Sequence, residues 1–594
     1  MSHPITLKKR AYGRSLRDFK SLTWAEKKLI ASTSRGKVCL LGSKTPDAPT
    51  RANAVRPELI RFLALGGDDY AAVHEKGVQL AGAYIGGTKQ GDGPRALDLD
   101  GCELSARLGL WNCRFAAPLY LEGAKGRSIS LNNSIFPGIQ GDGLHLDGDL
   151  FLGAVRSSGK VRLLGAGIGG DLSCEGGQFE DKEGPALACD RAIIGGGVFL
   201  GNGFRATGGV RLLGASIGGD LSCLGGRFKN SGGAALSCDG VEVAGSVFLN
   251  RNFHATGAVR LLCASIGNDL TCIGGRFESP DGFALFCDGS NIGGALLFRG
   301  GAQAEGVISL THAKAATLAD DVDCWPEDSL DLDGFRYDRI DASAALDAKR
   351  RIAWLDKQIP QVRDGDWFAL QPWMQLAKVL REQGHFRDAA EVDIAREDRL
   401  RAAGKVADRS TVRAWRDRWG RLDGQGRYIS FFSLIGRLGD FVTWALHWFY
   451  GWFSGYGHRP MRIVYAAFTI WIALAFVYRL AASDALFAPL NAATVREMKS
   501  KCDKQFTPGR IQWTQCDVLL TAYPRFSPYA YSLDLILPVA RLGQSNMWTP
   551  ISDGAWFSLS GWTQRLVWFE EIFGWVAALT LGAIAAGLVK RRDG

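Results

Sequence analysis

The sequence predicts a β-solenoid, right-handed β-helix-like, preceded by a helical cap and followed by a helical connector and two C-terminal transmembrane helices. Three observations carry this reading. The phrase VRLLGASIGGDLSC at 210–223 recurs almost letter for letter at 161–174 and 259–272, a period of 49 residues. A second phrase recurs at spacings of 43 to 49: ALDLDG at 96, GLHLDG at 143, ALACDR at 186, ALSCDG at 235, ALFCDG at 284 and SLDLDG at 329. Near the C-terminus lie two uncharged apolar runs, IVYAAFTIWIALAFVY at 463–478 and IFGWVAALTLGAIAAGLV at 572–589.

A chain of 594 residues is too long for a single core. Residues 1–75 form the first predicted domain, a helical cap. Helix signals occupy roughly 15–72, where LTWAEKKLIAS follows Ser21 and NAVRPELIRFLALGG carries apolar residues at helical spacing and stops on a glycine pair. Such a segment covers the first coil of a repeat array. The start, MSHPITLKKRAYGRSLRDF, has no apolar stretch behind its basic residues and does not read as a signal peptide.

Residues 76–341 form the solenoid. Each ALxxDG phrase alternates apolar and polar residues and then turns at Asp-Gly, a short strand followed by a corner. V-x-L-L, D-L-x-C and V-F-L strands lie between the copies. Short strands with sharp corners at a fixed period bury their inward faces only when coil stacks on coil. If a 49-residue unit is two coils, it rises about 9.6 Å at the strand spacing, and roughly five units make a rod ~50 Å long. The Gly-rich GASIGGDL is followed by another strand and occurs three times, which argues against a phosphate-binding turn.

Residues 342–427 read as a helical connector. AALDAKRRIAWLDKQ precedes PWMQLAKVLREQGHFRDAAEVDIAREDRLR, which resembles a single tetratricopeptide-type hairpin turning at Gly384-His385. Residues 428–594 form the membrane domain: an interfacial helix at 428–458, a span at 461–482, an external loop at 483–567 and a span at 568–590. Roughly ten Lys and Arg between Arg396 and Arg427, and the C-terminal VKRRDG, place both termini in the cytoplasm by the positive-inside rule. The expected location is the inner membrane, multi-pass, with lipid as one partner.

Charge is divided unevenly. Residues 76–341 hold 23 Lys+Arg against 31 Asp+Glu, so the rod is acidic although the chain has a net charge of +9. Within the rod Arg162, Arg211 and Arg260 form one repeating column and Asp171, Asp220 and Asp269 another. These read as a solvated surface ladder, with a strip for a charged partner as the alternative. Cys174, Cys223 and Cys272 form a further column, and Cys189, Cys238 and Cys287 one more. A thiolate metal ladder is one reading. Against it, Leu99, Leu146 and Leu332 occupy the second cysteine position in other ALxxDG copies, and Leu110 aligns with Cys223, so these are core positions. The acidic DDVDCWPEDSLDLDG lacks the spacing of a calcium loop. Outside the membrane, Cys502 and Cys516 are expected to form a disulfide. The segment SPYAYSLDLILPVARLGQSNMWTP offers Asp534, Gln544 and Trp548 either as ligand contacts or as packing against the spans.

The phrases VRPELIRFLALGG, LDLDGFRYDRI, QPWMQLAKVLREQGH, GYGHRP and YSLDLILPVARLGQ, in this order around the repeats, resemble a family of bacterial membrane proteins often labelled membrane-associated oxidoreductase. The rod is also distantly similar to pentapeptide-repeat β-helices. The resemblance implies membrane association and transfers no catalytic residue. The sequence has no dinucleotide fingerprint in context, no CxxC and no HExxH, and its eight histidines are scattered. No catalytic residue, cofactor or metal site is expected, and no nucleic-acid partner. The expected function is an inner-membrane scaffold or sensor whose cytosolic rod binds a protein partner, in a chain that is open to homo-oligomerisation. The alternatives are a redox enzyme using the cysteine columns or a bound cofactor, and a channel-like oligomer.

Overall fold

The computed structural model describes residues 15–87, 93–363, 368–403, 428–506, 511–521, 523–540, 542–551 and 558–586, without the side chains of 428–440 and 559. The basic start before residue 15, most of the Arg-rich stretch up to Arg427 and the C-terminal VKRRDG lie outside them. Two compact units result, Met1–Asp393 and Ile394–Gly594.

The first unit is a parallel β-solenoid of about 10 turns. One turn is built from Ile129–Ser130, Ile135–Phe136, Ile139–Gln140 and His145–Leu146, and each pairs in parallel with its counterpart in the following turn. Most strands are only two or three residues long. One apolar residue points inward and its neighbour outward, and the next corner follows at once. In one ladder Leu172 pairs with Val198 and Val198 with Leu221, so the 49-residue unit spans two turns. At the IGGD corners the turns approach closely: a Cβ at Gly218 would lie 2.3 Å from the Gly195 carbonyl oxygen.

The core is stacked like the strands. Phe179, Phe204, Phe228, Phe253 and Phe277 lie on successive turns with ring centroids 5.3, 5.3, 5.3 and 5.4 Å apart, and all are buried. Phe204, Phe228 and Phe253 each fill the gap between two other rings, which a repeat array needs because every inner turn is packed on both sides.

Both ends of the rod depart from the repeat. Residues 15–72 are not helical throughout. Helices Trp24–Ser34 and Pro57–Ala64 flank two short strands, Cys39–Leu40 on Leu80–Ala81 and Ala54–Val55 on Tyr84–Ile85, which add a further rung. The open edge of the first turn attracts backbone pairing from VCLL, a segment without helical periodicity. Buried Glu26 binds Arg56 and, through the Thr23 capping box, the start of the first helix.

At the other end, strand Arg336–Ile340 is covered by helix Gln371–Glu382 and the residue after it. Gln371 and Gln375 donate to the carbonyls of Phe335 and Tyr337, while Gln383 both donates to and accepts from the Ile340 backbone. Side-chain amides thus satisfy the edge that another turn would have paired. In the last phrase Leu330 and Leu332 are buried and Asp331 and Asp333 face outward.

In the second unit two helices are long and apolar enough to cross a membrane, Met461–Ser483 and Ser560–Ala585. The second begins earlier than the apolar run suggested. Ser558 caps it by accepting from the Gly561 amide, so the helix starts ahead of the predicted span at 568–590. Both expose bulky apolar side chains, among them Phe468, Ile472 and Phe476 on one and Ile572, Trp575 and Leu579 on the other. Between them, Cys502 and Cys516 form a disulfide, and Phe487–Pro489 pairs antiparallel with Trp548–Pro550.

Candidate functional site

The cysteine columns are walls of the core. Cys174, Cys223 and Cys272 alternate along one ladder with Leu200 and Leu249, and Cys189, Cys238 and Cys287 alternate along another with Leu212 and Leu261. All six are fully buried. Burial pushes the Cys272 thiol up to about 12 and the others further. A thiolate able to bind metal or attack a substrate needs the opposite. Among the described residues no group of three or more His, Cys, Asp or Glu is placed to hold a metal ion. The sequence alignment is corrected at one point. Leu146 belongs to a different side of the turn, where it pairs with Ile168, and Gly141 takes its place beside Leu163 and Cys189. Strand phrases that look alike occupy two sides because each side needs the same apolar–polar alternation.

The charged columns are internal fastenings. Arg162, Arg211 and Arg260 each bind an aspartate at the preceding corner, Asp142, Asp190 and Asp239 respectively, the last at 2.6 Å. Those aspartates also accept the amides of Leu164, Leu213 and Leu262 one turn on. Asp171, Asp220 and Asp269 do the same at another corner, accepting from the amides of Gly197, Ser246 and Ala295 at 2.7 to 2.8 Å. The structure therefore does not pair the two predicted columns with each other. It pairs the arginines with an aspartate column not singled out from sequence, although that column is visible there as the D of ALACDR and ALSCDG.

The polar residues of the loop segment turn inward. Asp534 accepts from the amides of Leu542 and Ser545 and from the Ser545 hydroxyl, closing the chain reversal after helix Pro528–Ile536. Gln544 accepts from the Ser527 amide, and buried Trp548 donates to the Pro524 carbonyl. Trp548, the two half-cystines, Tyr478 and Tyr531 belong to one apolar core.

Beneath that core lies a carboxylate that the sequence reading passed over. Glu570, on the second apolar helix, is fully buried. Tyr478, on the first, donates to its Oε2 at 2.9 Å, and the Ser532 hydroxyl meets its Oε1 and lies 3.2 Å from the Trp471 carbonyl oxygen. Three helices thus converge on one carboxyl group. A Cβ on Gly574 would lie 2.5 Å from the Ile536 carbonyl oxygen, which lets the short helix end directly against the second apolar helix. The usable signal was FEEIF, two carboxylates inside the span predicted at 568–590, from which Glu570 was not singled out.

No family model, curated protein or solved structure matches the chain.

The chemistry open to the Glu570 centre follows from its hydrogens. Ser532 has one hydroxyl proton. When it points to the Trp471 carbonyl, the serine oxygen accepts from a carboxylic O–H; when it points to Glu570, it serves a carboxylate. Both arrangements keep the carboxyl group hydrogen-bonded, so the centre can take up or release a proton without moving a helix. Ionisable groups within apolar helices are costly, and they occur where they serve ion pathways, relays or sensing.

Proposed function

We propose that the protein is a membrane-anchored scaffold or sensor whose β-solenoid is the binding surface. The observation that carries this reading is the joining, in one chain, of a rod about 10 turns long to two helices able to cross a membrane. The rod's interior is committed to packing and its corner charges to fastening, which leaves its outward faces for recognition. Such faces suit extended partners because each turn repeats the contact.

The proposed topology places both termini and the rod in the cytoplasm and the segment between the spans outside. The Cys502–Cys516 disulfide supports this, since disulfides persist in oxidising compartments. Exposed Phe441, Trp444, Trp448 and Trp452 on helix Tyr428–Ser454 support an interfacial position with lipid as partner. The motif resemblance supports a bacterial inner membrane. The Glu570 centre favours a sensor, with proton occupancy beside the outer segment as the sensed quantity.

The test is photo-crosslinking in native membranes, with the crosslinker placed on outward positions of all four strand ladders in turn. A scaffold gives a discrete adduct confined to one or two ladders. Stoichiometric metal or flavin in anaerobically purified protein, together with an activity abolished by Cys223→Ser, would replace this reading by the redox one.

A further inference from the structure

The acidic rod carries a basic stripe. In the ladder next to the Arg162–Arg211–Arg260 column, the outward residues on consecutive turns are Arg156, Gln178, Arg205, Arg227, His254, Arg276 and Gln303. Lys229 stands beside Arg227 on the same strand. Arg156, Arg205, Arg227, Lys229 and Arg276 are all exposed.

The two neighbouring columns treat their arginines differently. Arg162, Arg211 and Arg260 each have an aspartate built into the preceding corner. Arg276 and His254 share Glu278. Among the described residues, the side chains of Arg156, Arg205, Arg227 and Lys229 have no ion pair or hydrogen bond. Arg205 and Arg227 are direct partners on adjacent strands, about 4.8 Å apart along the rod. Like charges directly opposite on paired strands are destabilising, and no acidic side chain intervenes here. An external anion relieves that repulsion.

Resting on the scaffold reading, we propose that this stripe binds an extended, acidic polypeptide segment of a partner protein. The stripe is narrow, one column joined by Lys229 from the next, and runs along the rod axis, with Arg156 and Arg276 five rungs or about 24 Å apart. A linear chain matches that shape, whereas a flat bilayer would engage the whole face, including arginines already paired. In the outward column beside it, Thr207, Lys229 and Thr256 stand next to Arg205, Arg227 and His254, with Glu180 at one end and Glu278 and Glu305 at the other, and none of these is the aromatic platform on which nucleic-acid bases stack. At the far end, on the strand of Arg276, Phe283 stacks on Phe286 with centroids 4.3 Å apart and stays substantially exposed. That pair supplies an apolar anchor beside the charged track.

The probe is a fluorescein-labelled peptide of alternating Glu and Ser ending in Phe, whose carboxylates recur every ~7 Å on one face when extended. Its anisotropy is followed with the full chain in zwitterionic nanodiscs. The expected result is salt-sensitive binding that weakens about 10-fold or more in Arg205→Ala/Arg227→Ala/Lys229→Ala, is kept within a few-fold by the corresponding Arg→Lys pair, and is unchanged by Lys314→Ala on the other sheet. Equal affinity in the triple variant, or no binding by the wild type, overturns the proposal. So does tighter binding, dependent on the same residues, of a single-stranded oligo-dT or of phosphatidylserine vesicles. The scaffold reading survives these failures if crosslinks form on another ladder, and falls separately if none form on the rod.

Discussion

Replacing Asp320 by alanine tests how the rod is closed. Asp320 and Arg351 are both fully buried, with guanidinium-to-carboxylate contacts of 2.8 and 2.9 Å, and Trp325 donates to the same carboxylate at 2.8 Å. Arg351 also donates to the Ala345 carbonyl, so it ties the last turns to helix Ala348–Asp356. Removing the carboxylate leaves two guanidinium N–H groups and one indole N–H without an acceptor. Each buried orphan costs about 1–3 kcal/mol, and breaking one side of a buried pair costs about 3–5 kcal/mol in all. The pair together is worth much less, because its burial also desolvates two charges. Asp320→Leu/Arg351→Met is therefore expected to recover most of the loss. Native-state hydrogen exchange on the strands 314–320 and 336–340 in the detergent-solubilised chain gives the local stability of each variant. A loss below about 1 kcal/mol in Asp320→Ala, or additive costs in the double variant, refutes the closure argument.

Four further outcomes follow from the same geometry. Phe228→Ala removes a ring stacked on both sides and is expected to cost about 3–5 kcal/mol, with exchange accelerated most in the turns adjoining it. Because burial raises the Cys113 and Cys272 thiols from 9.0 to about 12, the unfolded chain ionises first. Denaturation should show the rod's stability falling as pH rises through that interval. Cys502→Ser/Cys516→Ser opens a loop of 14 residues' separation and is expected to lower the stability of the segment between the two apolar helices by about 3 kcal/mol, read by proteolysis around 503–515. Glu570→Gln keeps hydrogen-bonding groups for Tyr478 and Ser532 and should fold while losing any pH response of the segment between the two apolar helices. Glu570→Ala should loosen helix Pro528–Ile536, seen as faster exchange at Ser532.

Period and composition were sufficient for the rod and the two apolar helices. A 49-residue repeat of short alternating strands has few ways to bury its inward faces, and stacking in register is the one that repeats. The cysteine columns could also be assigned from the chain alone, because Leu110 and Leu332 showed what the positions tolerate. What lay beyond the sequence depends on which residues meet across turns. GLHLDG and ALACDR look alike yet occupy different sides, since inward–outward alternation is common to every side and does not number them. The aspartate that each arginine reaches lies 20 or 21 residues earlier, a separation set by the length of one turn. The pairing of VCLL with the first turn depended on an open strand edge, which no local propensity encodes. Glu570 changed most. In sequence it borders an apolar run; in the fold a tyrosine and a serine, 92 and 38 residues away, converge on it. Only the packing of three helices brings hydroxyls to a carboxyl group that water would otherwise have served.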